Sequence, residues 1–345
     1  MLLKEELKNY AQEIGIAALG VTNSEPISEG LHIYEERIRR SFLTGGCKPR
    51  AGFEPSNLGK RIDPKKSFSE TKSIIVIAVP YKISYVQENI PTLAGNLARI
   101  GWGRDYHLVV ADKLRKIEQF LKDILGSINT RVLVDTGPLI ERSFAVRAGI
   151  GWIGKNNTLI VPKYGSFVYI GELLINQEIE PDEPLNKDCG ECTKCIEACP
   201  TQALVGPWML NTRICISYLT QVPELAPDWI VPLLDGGLYG CDICQDACPY
   251  NVKAPDEGDP AFYPVKLLPK PDLVNLLAMN RNAYIDVVGE TAVERVGREI
   301  LQKNALVALA RYRNDNSSKI IEQAKQDPRP FIRAVAQWCL NYVHQ

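Results

Sequence analysis

Residues 189–200 read Cys189-Gly-Glu-Cys192-Thr-Lys-Cys195-Ile-Glu-Ala-Cys199-Pro200, and the reading of this stretch decides that of the whole chain. Three thiolates at C-x2-C-x2-C spacing suit three corners of a four-iron cubane, and the fourth cysteine of such a C-x3-C-P run reaches across to a second cluster. A second group is therefore expected downstream. It is Cys241-Asp-Ile-Cys244-Gln-Asp-Ala-Cys248-Pro249, but Leu238 stands where its leading cysteine belongs. Cys215 is the nearby spare and brings the total to eight, enough for two four-iron, four-sulfur (4Fe-4S) clusters. The assignment is Cys189, Cys192, Cys195 and Cys248 to one cluster, and Cys199, Cys215, Cys241 and Cys244 to the other. Cys47 and Cys339, the rest of the ten cysteines, read as ordinary buried or partly buried thiols.

Zinc and disulfides are the competing readings. A zinc ribbon needs four ligands and has no use for a third cysteine at the same spacing or for a Cys-Pro after each run. Disulfides need an oxidising compartment, whereas Met1-Leu-Leu-Lys-Glu-Glu-Leu-Lys has acidic residues where a signal peptide has its apolar core. A cytoplasmic protein with reduced thiols is expected.

The chain has 345 residues, 45% hydrophobic and 23% charged, which suits a soluble globular protein of two or three domains. No apolar run reaches the roughly eighteen residues of a membrane span. With 40 basic against 41 acidic residues, nucleic-acid binding would have to come from a local patch. Three histidines, His32, His107 and His344, leave no room for a multi-histidine metal site.

Residues 1–180 read as one α/β (α+β) domain. Leu3, Leu7, Tyr10, Ala11 and Ile14 recur at helical spacing before a short strand, Ala17–Val21. Ser73–Val79 is an unbroken apolar run that suits the middle of a sheet covered on both faces. A helix over Tyr106–Leu125 leads to a strand at Arg131–Val134. Asp135-Thr-Gly-Pro138 is then a turn at a strand's carboxyl end, where α/β sheets commonly hold ligands. A helix through Ala148 and a strand over Ser166–Ile175 follow. Gly149-Ile-Gly-Trp-Ile-Gly154-Lys155-Asn156-Asn157 resembles a Walker loop as far as Lys155, but Asn156 replaces the magnesium-binding hydroxyl and the segment leads into a strand. Close backbone approach to a large cofactor, or simple turn-making, uses its glycines better.

Residues 181–255 form the cluster domain, 256–272 a proline-rich linker, and 273–345 a helical domain. Leu301–Tyr312 aligns with Phe331–Tyr342 at a period of thirty residues, with a helix Ser317–Gln326 between, as in HEAT-like repeats. Residues 290–345 carry nine Lys or Arg against six Asp or Glu, a surplus of three.

Arg61-Ile-Asp-Pro64, Trp102-Gly-Arg-Asp105-Tyr-His107, Val134-Asp135-Thr-Gly137, Arg147-Ala-Gly-Ile-Gly151, Lys155-Asn156, Tyr164-Gly-Ser166, both cysteine runs and Leu238-Tyr-Gly-Cys241-Asp together resemble the epoxyqueuosine reductases, in order over nearly the whole chain. The resemblance implies a cobalamin-binding α/β domain, a ferredoxin-like domain with two 4Fe-4S clusters, and shortened C-terminal HEAT-like repeats. It implies reduction of epoxyqueuosine to queuosine at the wobble position of tRNA, by attack of reduced cobalamin on the epoxide. Asp135 matches the family's general acid, and the role would require burial to raise its pKa. Arg61, Asp135, Leu159, Ile170, Ser217 and Asp242 match cobalamin-contacting positions, and Ala98 stands where family members have cysteine. Lys303, Arg311, Arg329 and Arg333 are chosen by charge and spacing as contacts to the anticodon stem-loop. Further expectations are an external one-electron reductant such as flavodoxin or ferredoxin, no membrane, and a monomer. The alternatives are a two-cluster electron carrier or assembly scaffold with protein-binding repeats, and a related cobalamin and iron–sulfur reductase of organohalides.

Overall fold

A computed structural model describes residues 2–28 and 58–343. Four strands, β1 (Ala18–Asn23), β2 (Ser73–Pro80), β3 (Thr130–Leu133) and β4 (Val168–Ile175), form one sheet in the order β1-β2-β4-β3. Every neighbouring pair is antiparallel. The expectation for Ser73–Val79 holds, since every residue of β2 is buried. Ile75, Ile77 and Val79 pack with helices α1 (Leu2–Glu13) and α2 (Tyr106–Leu125) on one face. Ile74, Val76 and Ala78 pack with α3 (Glu141–Arg147) on the other. Two covered faces explain why the strand shows no polar alternation.

Helix α2 starts and stops on sequence signals. Asp105 accepts the His107 N–H at its N-terminus, and Gly126 closes it at φ 77°. The helix lies against β4 at Gly171, where a Cβ would come within 2.4 Å of Val110 Cγ1.

The cysteine-bearing segment contributes short helices, Lys194–Glu197, Ile243–Asp246 and Pro249–Val252, and little core. It is held from outside. Asn251 is the clamp to the α/β layer: its Oδ1 accepts the Ser166 N–H at 2.6 Å and its Nδ2 donates to Ser166 Oγ at 2.8 Å. Residues 204–239 depart from a plain cysteine repeat. Gly237–Tyr239 pairs in parallel with Asn96–Leu97, and Leu238, at the missing ligand position, is fully buried against Gly95 and Leu273.

Five helices complete the chain: α4 (Leu273–Ala278), α5 (Arg281–Val288), α6 (Arg298–Ala310), α7 (Asp315–Ala324) and α8 (Pro330–Val343). The two segments aligned at thirty residues thus fall on α6 and α8. Cys339 is fully buried in their core, as expected for an ordinary thiol, and Cys47 lies outside the described residues. Segment 256–272 is no free tether. Phe262 and Leu267 are buried, and the Gly258 and Asp259 N–H groups donate to Lys82 O and Pro80 O, both at 2.8 Å. Among the described residues no helix is long and apolar enough to cross a membrane.

Helix α6 is buried from Leu301 to Ala310, and its polar residues serve as ties. Gln302 Nε2 donates to the carbonyls of Leu276, Leu277 and Met279. Asn304 Nδ2 donates to Thr220 O and Leu238 O. Lys303, 2% exposed, sends its ammonium to Leu219 O, Val222 O and Glu224 O at 2.8–3.1 Å. Lys303 is therefore corrected from a tRNA contact to an internal strut. Lys303→Met, which leaves three carbonyls unpaired, should cost about 2–4 kcal/mol in thermal or urea unfolding; an unchanged transition would contradict the strut.

Candidate functional site

Asp135 follows β3 with a left-handed backbone, φ 51°, a strained state for a residue with a Cβ. Its turn is pinned at both ends. Glu141 accepts the Asp135 N–H, and the Ile140 N–H donates to Arg61 O at 2.9 Å. The first turn of α2 supplies the partners: Tyr106 Oη donates to Asp135 Oδ2 at 2.8 Å, and His107 Nε2 lies 3.3 Å from the same oxygen. Behind the imidazole, Nδ1 meets Asp105 Oδ1 at 2.6 Å. The result is a carboxylate–imidazole–carboxylate row, Asp105–His107–Asp135.

Among the described residues, burial does not raise Asp135 as the acid role was expected to require. Its side chain is 58% exposed, and the bonds from His107 and then Tyr106 hold its carboxyl below the usual range, against partial burial. Burial lowers His107, but its bonds to Asp105 and Asp135 outweigh that and raise the imidazole above its ordinary value. Both carboxylates thus favour the charged form of the imidazole. Beneath it, burial and the Asp135 charge push Glu141 up. Glu172, fully buried on β4, is pushed up by burial and then by Glu141, and among the described residues neither of its oxygens has a partner.

The sequence-predicted cofactor positions fall in two groups. Leu159 and Ile170 share the apolar layer beneath α3, which Ile62, next to Arg61, also joins. Ser217 and Asp242 sit on the cysteine-bearing segment. Asp242 Oδ2 already accepts the Arg99 N–H at 2.8 Å and Arg99 Nη1 at 3.1 Å. Stacked rings lead from the Asp135 site towards the second group, His107 on Tyr106 at 4.0 Å, then Tyr106 on Tyr169 and Tyr169 on Tyr81 at 4.3 Å each. At the far end Tyr81 Oη lies 3.5 Å from Gln245, the residue after Cys244. A large amide-bearing cofactor fits the α3 side of the sheet on one observation. Among the described residues, both polar atoms of the buried Asn157 side chain lack partners, as do those of Glu172, while Arg142 of α3 donates to Asn157 O.

The cysteines lie near one another in two places. Cys189, Cys192, Cys195 and Cys248 line one small cavity with Lys155, Asn156, Ile160, Pro249 and Tyr250. In the other set Cys215 feels Cys199, Cys241 feels Cys215 and Cys199, and Cys244 feels all three and Cys195 besides. Among the described residues no three His, Cys, Asp or Glu converge on a single ion.

The remaining tRNA candidates do not form a free basic face. Arg311 pairs with Asp235. Arg329 is held by Asp327 at 2.8 Å and by Gln302 at 2.7 Å. Arg333 is exposed, but donates to Asp327 O and Pro328 O. Sequence reading did not assign roles to Tyr106, His107, Glu141 or Glu172. The signals were an N-cap aspartate two residues before His107, and an acid inside the apolar run Val168–Ile175.

Residues 188–251 match the family model described as 4Fe-4S double cluster binding domain. With the mixed α/β layer and its proton-bearing row, this defines the class, an iron–sulfur oxidoreductase. Residues 61–136 match the model described as Epoxyqueuosine reductase QueG, DUF1730. The epoxyqueuosine reductase of Listeria monocytogenes is 38% identical over 99% of this chain and 89% of its own. A crystal structure of an epoxyqueuosine reductase with an epoxyqueuosine-modified tRNA-Tyr stem loop superposes with TM-score 0.90 at 37% identity, covering 100% of this chain and 91% of that one. The Bacillus subtilis enzyme, with its catalytic aspartate loop swung out of the active site, gives TM-score 0.88 at 36% identity over 99% of this chain and 90% of that one. The chain belongs to the epoxyqueuosine reductase family.

The buried Glu172 makes a pH-dependent prediction. Unfolded, it ionises near pH ~4.3; folded, its raised value keeps the proton, so stability falls as pH rises through that interval. Glu172→Gln should therefore gain on the order of 1 kcal/mol at pH 8 and far less at pH 5. Parallel stability–pH curves for the two proteins would contradict this.

Proposed function

We propose that this chain reduces epoxyqueuosine to queuosine in tRNA. The observation that carries the reading is the Asp135–His107 pair, a carboxylate facing an imidazole at 3.3 Å and joined by stacked rings to the neighbourhood of the second cysteine set in a member of this family. Turning an epoxide into an alkene and water consumes two electrons and two protons. When bound, the clusters supply electrons singly, and cobalamin supplies a reduced cobalt nucleophile suited to opening an epoxide.

The chain's own residues do the rest. Arg61, Leu159, Ile170, Ser217 and Asp242 would hold the corrin between the α3 layer and the cysteine-bearing segment. The two cysteine sets would hold the 4Fe-4S clusters, fed by an external one-electron donor. Asp135 Oδ2 would pass the proton that it shares with His107 to the oxygen released as the ring opens, with Tyr106 fixing the carboxylate's orientation. Because that proton is lost as pH rises through the raised His107 value, turnover should fall on the alkaline side. HEAT-like pairing of α6–α8 would frame the RNA. Arg104 and Arg295, exposed beside Asp105, are better placed for its phosphates than the buried Lys303.

Iron-loaded protein supplied with cobalamin and a reductant should convert an epoxyqueuosine stem loop; no conversion and no corrin spectrum would overturn the proposal. Asp135→Asn should retain corrin uptake and lose about 10²–10⁴-fold in turnover. Undiminished turnover would remove Asp135 from the proton path. Stem-loop binding should weaken steeply with added salt.

A further inference from the structure

The glycine-rich loop at 149–157 is not used by the proton path, yet its Asn156 forms part of the wall of the cavity lined by Cys189, Cys192, Cys195 and Cys248. The side chain is 7% exposed. Its Oδ1 accepts the Thr158 hydroxyl at 2.7 Å and the Thr158 N–H at 3.3 Å. A backbone N–H can only donate, so the atom facing it must be the amide oxygen. That leaves Nδ2 turned away from Thr158, buried and without an acceptor among the described residues. A buried amide donor with no partner is costly and calls for an explanation.

The surroundings are built to keep the amide there. Gly154 leaves room for it, since a Cβ at that position would lie 2.8 Å from Asn156 Oδ1. Lys155 Nζ donates to Gly190 O at 2.6 Å, which ties the loop to the Cys189–Cys192 turn. Trp152 and Ile160 pack with Cys248 and Cys189 and keep this side dry, where a single hydrogen bond counts for more than in water.

We propose that Asn156 Nδ2 donates a hydrogen bond to a sulfur of the cluster held by Cys189, Cys192, Cys195 and Cys248, so that the α/β domain tunes the reduction potential of that cluster. The inference rests on the cysteine assignment above. A donor to cluster sulfur favours the reduced, more negative state and raises the potential. The second set has donors of its own, the Ala203 N–H lying 3.3 Å from Cys199 Sγ, so Asn156 should act on one cluster alone.

The test is an EPR-monitored redox titration of fully iron-loaded wild type, Asn156→Leu and Thr158→Val. In Asn156→Leu the potential of one cluster should fall while the other stays put. At the wild-type midpoint the reduced-to-oxidised ratio should drop up to about tenfold, which is 59 mV for one electron. Thr158→Val, which frees the amide to turn, should shift the same cluster by less, and it decides the matter should the leucine variant not hold both clusters. Unmoved potentials in loaded variants would overturn the proposal. Wild type that cannot be loaded with two clusters would instead overturn the ligand assignment, and this inference with it.

Discussion

Eight thiols have to be held against one another by a segment too short to bury a core of its own, and the rest of the structure answers to that constraint. The ties run between the segment and the rest of the chain. Asn251 joins it to Ser166, just before β4, Lys155 joins it to the glycine-rich loop through Gly190, and Lys303 with Asn304 fastens residues 219–224 and 238 to α6. Each tie satisfies backbone carbonyls or amides that irregular chain leaves open, which is why buried polar side chains, and not apolar ones, do this work.

The same constraint links structure to chemistry. The stack Tyr81–Tyr169–Tyr106–His107 runs from the residue after Cys244 to Asp135. The first turn of α2 and the Asp135 turn therefore sit at fixed distances from the second cysteine set. Asp135 accepts a strained φ because Glu141, Tyr106 and His107 all act on it.

Much of this was legible in the sequence. Both cysteine sets, the buried central strand, the extent of α2 and the Asp135 turn follow from spacing, periodicity and turn chemistry, all local signals. What was not legible depends on burial and partners. Lys303 has the charge of a phosphate contact and becomes a strut only because α6 is enclosed. Asp135 looked in need of burial, whereas its neighbours bring an imidazole to a half-exposed carboxyl. The linker at 256–272 is proline-rich yet packed, because Phe262 and Leu267 find cores that composition alone cannot reveal. The antiparallel order of the sheet likewise depends on pairings between strands far apart in the chain.

Use of Cys215 in place of a ligand missing at Leu238 would be the point on which the arrangement turns, because it would free residues 216–239 to pack against α6 and to carry Ser217. Iron and sulfide analysis with EPR on Cys215→Ser tests it directly. The expected result is loss of the signal of one cluster, with the other intact at four irons per chain against eight in the wild type, as two four-iron sites require. A variant that still holds eight irons with both signals unaltered would contradict the role of Cys215 as a cluster ligand.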